Sequence, residues 1–304
     1  MITPSTFIVG AGPVATALAG GMRLGGVPVL GLWARKPDRA RAAGSIAGVA
    51  AFSAAPPDLL LESDVVVLAV RDEAIAEVAR TIVATGLITP KHVLVHCSGA
   101  LAAEDVFADV RGQVGGVAAM HPLRAIADPR TAMRDLRGTV FGIEGDDAGV
   151  DMARALVAAV GGRALELSGA QMAAYHSAAA IASNFLVALV DGAAAVLTSA
   201  GVNRDEALAA LLPLVQGTVA NLESQGLPDA LTGPIRRGDS VTVARHLKVM
   251  ASMTPELAAL YRVLGRRTLE IARQLGDAPE PSLDEIERLL DETSDSGAAR
   301  AVRR

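Results

Sequence analysis

The first half of the chain alternates short apolar runs with stretches whose apolar residues recur every three or four positions. Runs at 6–9, 29–33, 65–70, 93–96, 116–120, 139–144 and 164–167 read as strands, with a weaker one inside 44–52. Helical spacing fills 13–24, 37–44, 73–85, 103–110 and 149–160 between them. Such alternation predicts a mostly parallel sheet covered by helices on both faces. After about residue 168 no strand pattern remains. Ala- and Leu-rich helical segments follow instead, with breaks expected at Gly201, Pro213, Gly226, Gly233, Gly238 and Pro255. Pro279 and Pro281 precede a last amphipathic helix at 283–292, and the small, polar, basic stretch 293–304 reads as a disordered tail. The expected division is therefore an α/β domain over 1–167 and an all-α domain over 168–292.

The first strand runs straight into Gly10-Ala11-Gly12-Pro13-Val14-Ala15 and then into an apolar helix. This reads as the dinucleotide-binding turn of a Rossmann-like, doubly wound sheet. Gly10 turns the chain sharply, and Gly12 lets a diphosphate approach backbone amides at the positive helix end. Ala15 keeps helix and strand close, while Pro13 and Val14 open the helix. The plainer account, a glycine turn kept for packing, explains less of the strand–turn–helix context. The second strand ends in Trp33-Ala34-Arg35-Lys36, with no carboxylate before Asp38. NAD-selective folds place an acid at this strand end, whereas two cations suit the extra phosphate of NADP. Val70 and Arg71, and Ser98 and Gly99, follow later strands at the sheet edge where ligands bind. Asp72 there is read either as a ligand neighbour or as a helix cap.

Composition narrows the class. The formal net charge is −5, and no basic stripe interleaves with aromatics, so nucleic acid is not an expected partner. Cys97 is the single cysteine, which excludes a disulfide framework and fits a cytoplasmic protein. No metal-ligand spacing is present. The apolar stretch 173–200 carries His176, Asn184 and Asp191, so it reads as a buried helix and not as a membrane span.

Hydride delivery to C=O or C=N needs a proton source nearby. His176 is the first candidate and His121, in a His-Pro-Leu turn, the second; each has a plainer reading as a histidine satisfied by local hydrogen bonds. On a continuous helix Ser183 would share a face with His176, and Asn184 would lie about 80° round and about 12 Å along. Asn184 is therefore assigned to positioning. Arg124, and an arginine of the 232–239 loop, are alternatives for holding an anionic group of the substrate.

The succession GAGPVA, WARK, DVVVLAVRDEAI, HCSGAL, MHPLRA and QMAAYHSAAAIASN resembles the 6-phosphogluconate dehydrogenase-like superfamily, which includes ketopantoate and pyrroline-5-carboxylate reductases. Met120–Leu123, Tyr175-His176, Ser183-Asn184, LTGPIRRGD at 231–239 and His246-Leu247 are similar to its branch with a DUF2520 C-terminal domain. The resemblance implies NADP-linked hydride transfer on a small substrate in a cleft between the domains, and a homodimer formed through the helical domain. One departure matters. Ketopantoate reductases and β-hydroxyacid dehydrogenases carry a lysine four or so residues before the helical asparagine, and position 180 here is Ala180. A non-catalytic NADP-binding regulator and a reductase of a flavin- or deazaflavin-type partner remain alternative readings.

Overall fold

A computed structural model describes residues 3–292. The expected tail at 293–304 lies outside them. One compact unit ends at Phe185 and a second begins at Leu186.

The first unit is built on an eight-stranded sheet. In chain order its elements are β1 (Thr6–Val9), α1 (Pro13–Leu24), β2 (Val29–Trp33), α2 (Pro37–Ala47), β3 (Ala51–Phe52), β4 (Val65–Leu68) and α3 (Ile75–Ala84). They continue as β5 (Val93–His96), α4 (Ala103–Val106), β6 (Gly116–Pro122), α5 (Pro129–Ala132), β7 (Val140–Gly145), α6 (Asp147–Ala159), β8 (Arg163–Glu166) and α7 (Gly169–Ala182). The sheet order is β3-β2-β1-β4-β5-β6-β7-β8, parallel except where β7 pairs antiparallel to β6. Strands buried on both faces explain the unbroken apolar runs such as Val65–Leu68, which contribute Val65 and Val67 to one core and Val66 and Leu68 to the other. The order reverses between β1 and β4, and the glycine turn after β1 opens at that switch point.

Helix α7 begins in a capping box between Ser168 and Gln171 and belongs with the sheet by its contacts, although the texture of the sequence changes at its start. It stops at Ala182. Ser183, at φ −117° and ψ −67°, breaks the helical path before α8 (Asn184–Ser199). The expected single helix through 173–200 is thus two helices, and the face shared by His176 and Ser183 on an unbroken cylinder does not apply. Nor is the stretch buried. Met172 in α7 and Ala194 in α8 are the buried residues, while Val187 is 72% exposed. Gly169–Ser199 is long and apolar enough to cross a membrane by length and composition. The break at Ser183, the Asp191–Arg204 ion pair and the docking of Tyr175 on the sheet oppose that reading.

The second unit is helical: most of α8, then α9 (Arg204–Gln225), α10 (Ser240–Met250), α11 (Pro255–Leu275) and α12 (Glu280–Asp291). Its core joins Val243 and Leu247 to Leu269, Leu283, Ile286 and Leu290. Two proline expectations are corrected. Pro213 lies inside the 22-residue α9 and does not end it, and α12 starts at Glu280, with Pro281 in its first turn where no N–H is needed.

Candidate functional site

The turn after β1 has the geometry that the two glycines were expected to supply. Gly10 sits at φ +135°, and a β-carbon there would stand 2.3 Å from the Ala69 carbonyl oxygen, so only glycine fits between β1 and the end of β4. A β-carbon on Gly12 would meet nothing within 4 Å. The space beside this residue is therefore open to a ligand and not filled by protein. Gly12 is the N-cap of α1, Pro13 follows in its first turn, and the first ladder bond is Thr16 N–H to Gly12 O at 3.0 Å. The Val14 and Ala15 amides precede that bond and face the positive helix end. Ala15 is fully buried, as a residue holding helix against strand must be.

A cavity of about 720 Å³ opens over this turn, within the size range of cofactor sites. Gly10, Gly12, Pro13, Val14, Val70 and Arg71 border it, and Arg35, Lys36 and Arg39 stand at the far end beyond β2. Asp38, the nearest carboxylate in sequence, pairs with Arg41 at 2.5 Å and so does not neutralise those three cations. Arg39 was not anticipated; its signal is its place one helical turn after Lys36 in α2. Cys97 borders the cavity as well, with burial first and Asp72 second pushing its thiol up to about 12, so it is no nucleophile at neutral pH. Ser98 and Gly99 do not border it.

Those two residues lie instead beside a cluster of imidazoles. The Ser98 hydroxyl donates to Asp72 at 2.7 Å, which makes Asp72 an anchor for the loop after β5 rather than a helix cap. His121, at the end of β6, and His176, on α7, meet edge-to-face with ring centroids 5.6 Å apart. A β-carbon on Gly99 would lie 2.8 Å from His176 Nδ1 and 3.0 Å from Cδ2 and Cε1 of His121, so Gly99 gives both rings their room. Burial, then the neighbouring His176, lowers the pKa of His121 to about 4 against the opposing pull of Asp72. At neutral pH it is an uncharged imidazole. Next to it His96 is fully buried, and burial then His121 bring it down to about 4 as well.

The remaining candidates separate. Ser183 and Asn184 are exposed at the α7–α8 break, and no hydrogen bond of either side chain is present among the described residues. Arg124 is paired with Asp135 at 3.1 Å. Arg236 binds Asp277 at 2.7 Å and the Asp229 and Leu231 carbonyls, tying its own loop, while Asp239 caps α10. The loop is thus a helix connection in which Arg236 is already occupied, while Arg237 is exposed. Tyr175, noted in the sequence only as part of the Tyr175-His176 motif, joins this cluster. Its hydroxyl reaches His121 Nδ1 at 3.1 Å from 54 positions away in the chain.

Comparison with known proteins supports this reading of the fold. Residues 6–98 match the family described as NADP oxidoreductase, coenzyme F420-dependent, and residues 139–268 match the domain of unknown function DUF2520. A search of curated proteins gave no significant match. Among solved structures, protein TM1727 from Thermotoga maritima is 27% identical with a TM-score of 0.70, covering 89% of this chain and 99% of its own. BF3122 from Bacteroides fragilis, described as an NADP oxidoreductase, is 22% identical with a TM-score of 0.68, covering 87% of this chain and 97% of its own. A reductive aminase from Aspergillus terreus, in complex with NADPH and ethyl-5-oxohexanoate, is 18% identical with a TM-score of 0.52 and covers 99% of this chain and 95% of its own. The glycine turn and β1 to β5 are thus similar to the NADP oxidoreductase, coenzyme F420-dependent, domain, and the stretch similar to DUF2520 runs from β7 and β8 into the helices that follow.

Proposed function

We propose that the protein is a cytoplasmic NADP(H)-dependent oxidoreductase that moves hydride to or from a small carbonyl or imine carbon. The observation that carries this is the cavity over Gly10 and Gly12, floored by glycine and ended by three cations. When bound, the nicotinamide supplies the hydride. Everything else is the work of this chain. The open face of Gly12 and the first amides of α1 hold the diphosphate. Arg35, with Lys36 and Arg39, holds the ribose phosphate that distinguishes NADP from NAD. The A. terreus aminase, with NADPH and a keto ester in its complex, is consistent with that chemistry.

Proton handling falls to the imidazoles. With His121 held uncharged, the exposed His176 is the donor and His121 its partner. No lysine lies on α7 or α8, which favours a substrate that arrives already protonated, such as an iminium ion. Ser183 and Asn184 line the path of the substrate rather than reacting with it.

The functional form is a homodimer. Helix α9 runs for 22 residues with Ala207 as its only buried residue, and Leu214 is 67% exposed. Helices in water are held by packing of an apolar face more than by intrinsic propensity. An open apolar cavity bordered by Leu197, Met250, Leu257 and Leu264 adds to the uncovered surface in the same unit. A second copy of the chain is the partner that covers it.

The test is a thermal-shift comparison of NADPH, NADP, NADH and NAD, followed by a screen of aldehydes, ketones, 2-oxoacids and cyclic imines with the cofactor that binds. Turnover that survives both His121→Ala and His176→Ala would remove the proton-handling part. Tight NADPH binding with no turnover on any substrate would favour a regulatory protein, and hydride transfer to a deazaflavin would favour cofactor reduction.

A further inference from the structure

The cavity over the glycine turn is electrically lopsided. It runs from the end of β2, across the turn after β1, to the ends of β4 and β5. Arg35, Lys36 and Arg39 border it at the β2 end, and Asp72 is the one carboxylate among the residues that line it. Asp72 stands at the opposite end with Cys97, whose thiol is uncharged at neutral pH. The neighbouring cation, Arg71, is paired with Glu73 at 3.2 Å. Asp72 itself makes no ion pair among the described residues.

Its carboxylate is nevertheless held in a set direction. The Ser98 hydroxyl donates to Asp72 Oδ2 at 2.7 Å, and that hydroxyl oxygen accepts from the Ala100 N–H at 3.2 Å. The Ser98 N–H donates in turn to Nδ1 of the fully buried His96 at 3.1 Å. One carboxylate oxygen is thus tied to the loop after β5. The other has no protein partner among the described residues, and the residue is exposed.

We propose that Asp72 biases the cofactor site toward the oxidised nucleotide, its carboxylate favouring the positive nicotinamide ring of NADP over the neutral ring of NADPH. This rests on the oxidoreductase reading above and deepens it. A dinucleotide lies across the crevice of such a sheet. With the extra phosphate at Arg35 and the diphosphate at Gly12, its nicotinamide half extends over the ends of β4 and β5, toward Asp72. The imidazoles that handle the proton lie on the same side, since His121 and His176 pack around Gly99, the residue after Ser98. The ring is neutral before hydride passes to the substrate carbon and singly positive afterwards. A carboxylate without a countercharge lowers the energy of the positive form, the more so once a bound nucleotide keeps water away from it. The same bias makes the bound reduced nucleotide a stronger hydride donor, so the site favours reduction of its substrate.

The experiment is isothermal titration of NADP and of NADPH into the full-length wild type and Asp72→Asn at pH 7. Asparagine keeps the shape and an acceptor for the Ser98 hydroxyl but loses the charge. Both nucleotides carry the same phosphates, so any effect of Asp72 on those cancels in the ratio of the two dissociation constants. That ratio, NADP over NADPH, is expected to rise about fivefold in Asp72→Asn. Asp72→Ser, a second uncharged variant, is expected to raise it likewise and decides the matter if Asp72→Asn does not fold. A ratio unchanged within about twofold, or lowered, overturns the proposal. Equal weakening of both nucleotides does so too, because the carboxylate then holds a part that they share, such as the ribose. A wild type that binds neither nucleotide defeats the oxidoreductase reading and this proposal with it, whereas an unchanged ratio in variants that still bind overturns the proposal alone.

Discussion

Replacing each glycine of the turn by alanine should separate what the fold needs from what the ligand needs. At Gly10 the new methyl must sit at φ +135° and 2.3 Å from a backbone oxygen of Ala69, so a strand or the turn itself has to move. A sparsely populated backbone state costs about 1–3 kcal/mol, and overpacking against fixed atoms about the same again. The sum is roughly 2–6 kcal/mol, a melting temperature lower by about 5–20 °C for a unit of this size. At Gly12 the backbone lies at φ −80° and ψ 176°, where alanine is at ease, and the methyl meets no protein atom. Stability should therefore change by less than about 0.5 kcal/mol. The methyl instead occupies the space of the diphosphate. Losing one charge-assisted hydrogen bond there, about 1.5–3 kcal/mol, weakens NADPH by about 10- to 100-fold. Thermal melts and calorimetric titration of both variants measure the two effects independently. Wild-type NADPH affinity in Gly12→Ala, or equal loss of melting temperature in both variants, would refute the reasoning.

Three further outcomes follow from the same geometry. Arg35→Ser combined with Lys36→Ser should weaken NADPH by about 10- to 100-fold while leaving NADH within about twofold, since only the former carries the phosphate that these cations meet; equal losses would place them elsewhere. For pH, His96 and His121 both have folded pKa values near 4, below the unfolded value of 6.5, so between those limits the unfolded chain binds more protons. Stability is then fully present above about pH 6.5 and falls as pH drops toward 4, by at most about 3 kcal/mol for each group. Melts from pH 4 to 7 should show this, and His121→Gln should flatten the slope. Leu214→Glu with Val187→Glu should convert the dimer to monomer in sedimentation, whereas a wild-type monomer at micromolar concentration would contradict the homodimer.

The fold was legible where its causes are local. Fully apolar runs marked the parallel strands, and the spacing Gly10-x-Gly12 placed the turn, because both follow from a residue's immediate neighbours. The second half was legible only as helix. Nothing local distinguishes an apolar helix buried within its chain from one whose apolar face stays exposed, so the pattern of 173–200 fits both. Pro213 is a break by the local rule as well, yet α9 runs on through it with Ala207 as its only buried residue. The histidines were visible as chemistry, yet their meeting depends on β6 and α7 being brought together by the fold. Tyr175 was legible only as part of the Tyr175-His176 motif; its packing on the sheet depends on Gly142, 33 residues earlier, leaving the strand bare beneath the ring.

Isothermal titration of the full-length protein tests most directly whether the glycine-floored cavity holds a phosphorylated pyridine dinucleotide. One NADPH per chain is expected, bound at least about tenfold more tightly than NADH and weakened by rising salt as the cations are screened. No binding of any pyridine nucleotide, or equal affinity for NADPH and NADH, would contradict this expectation.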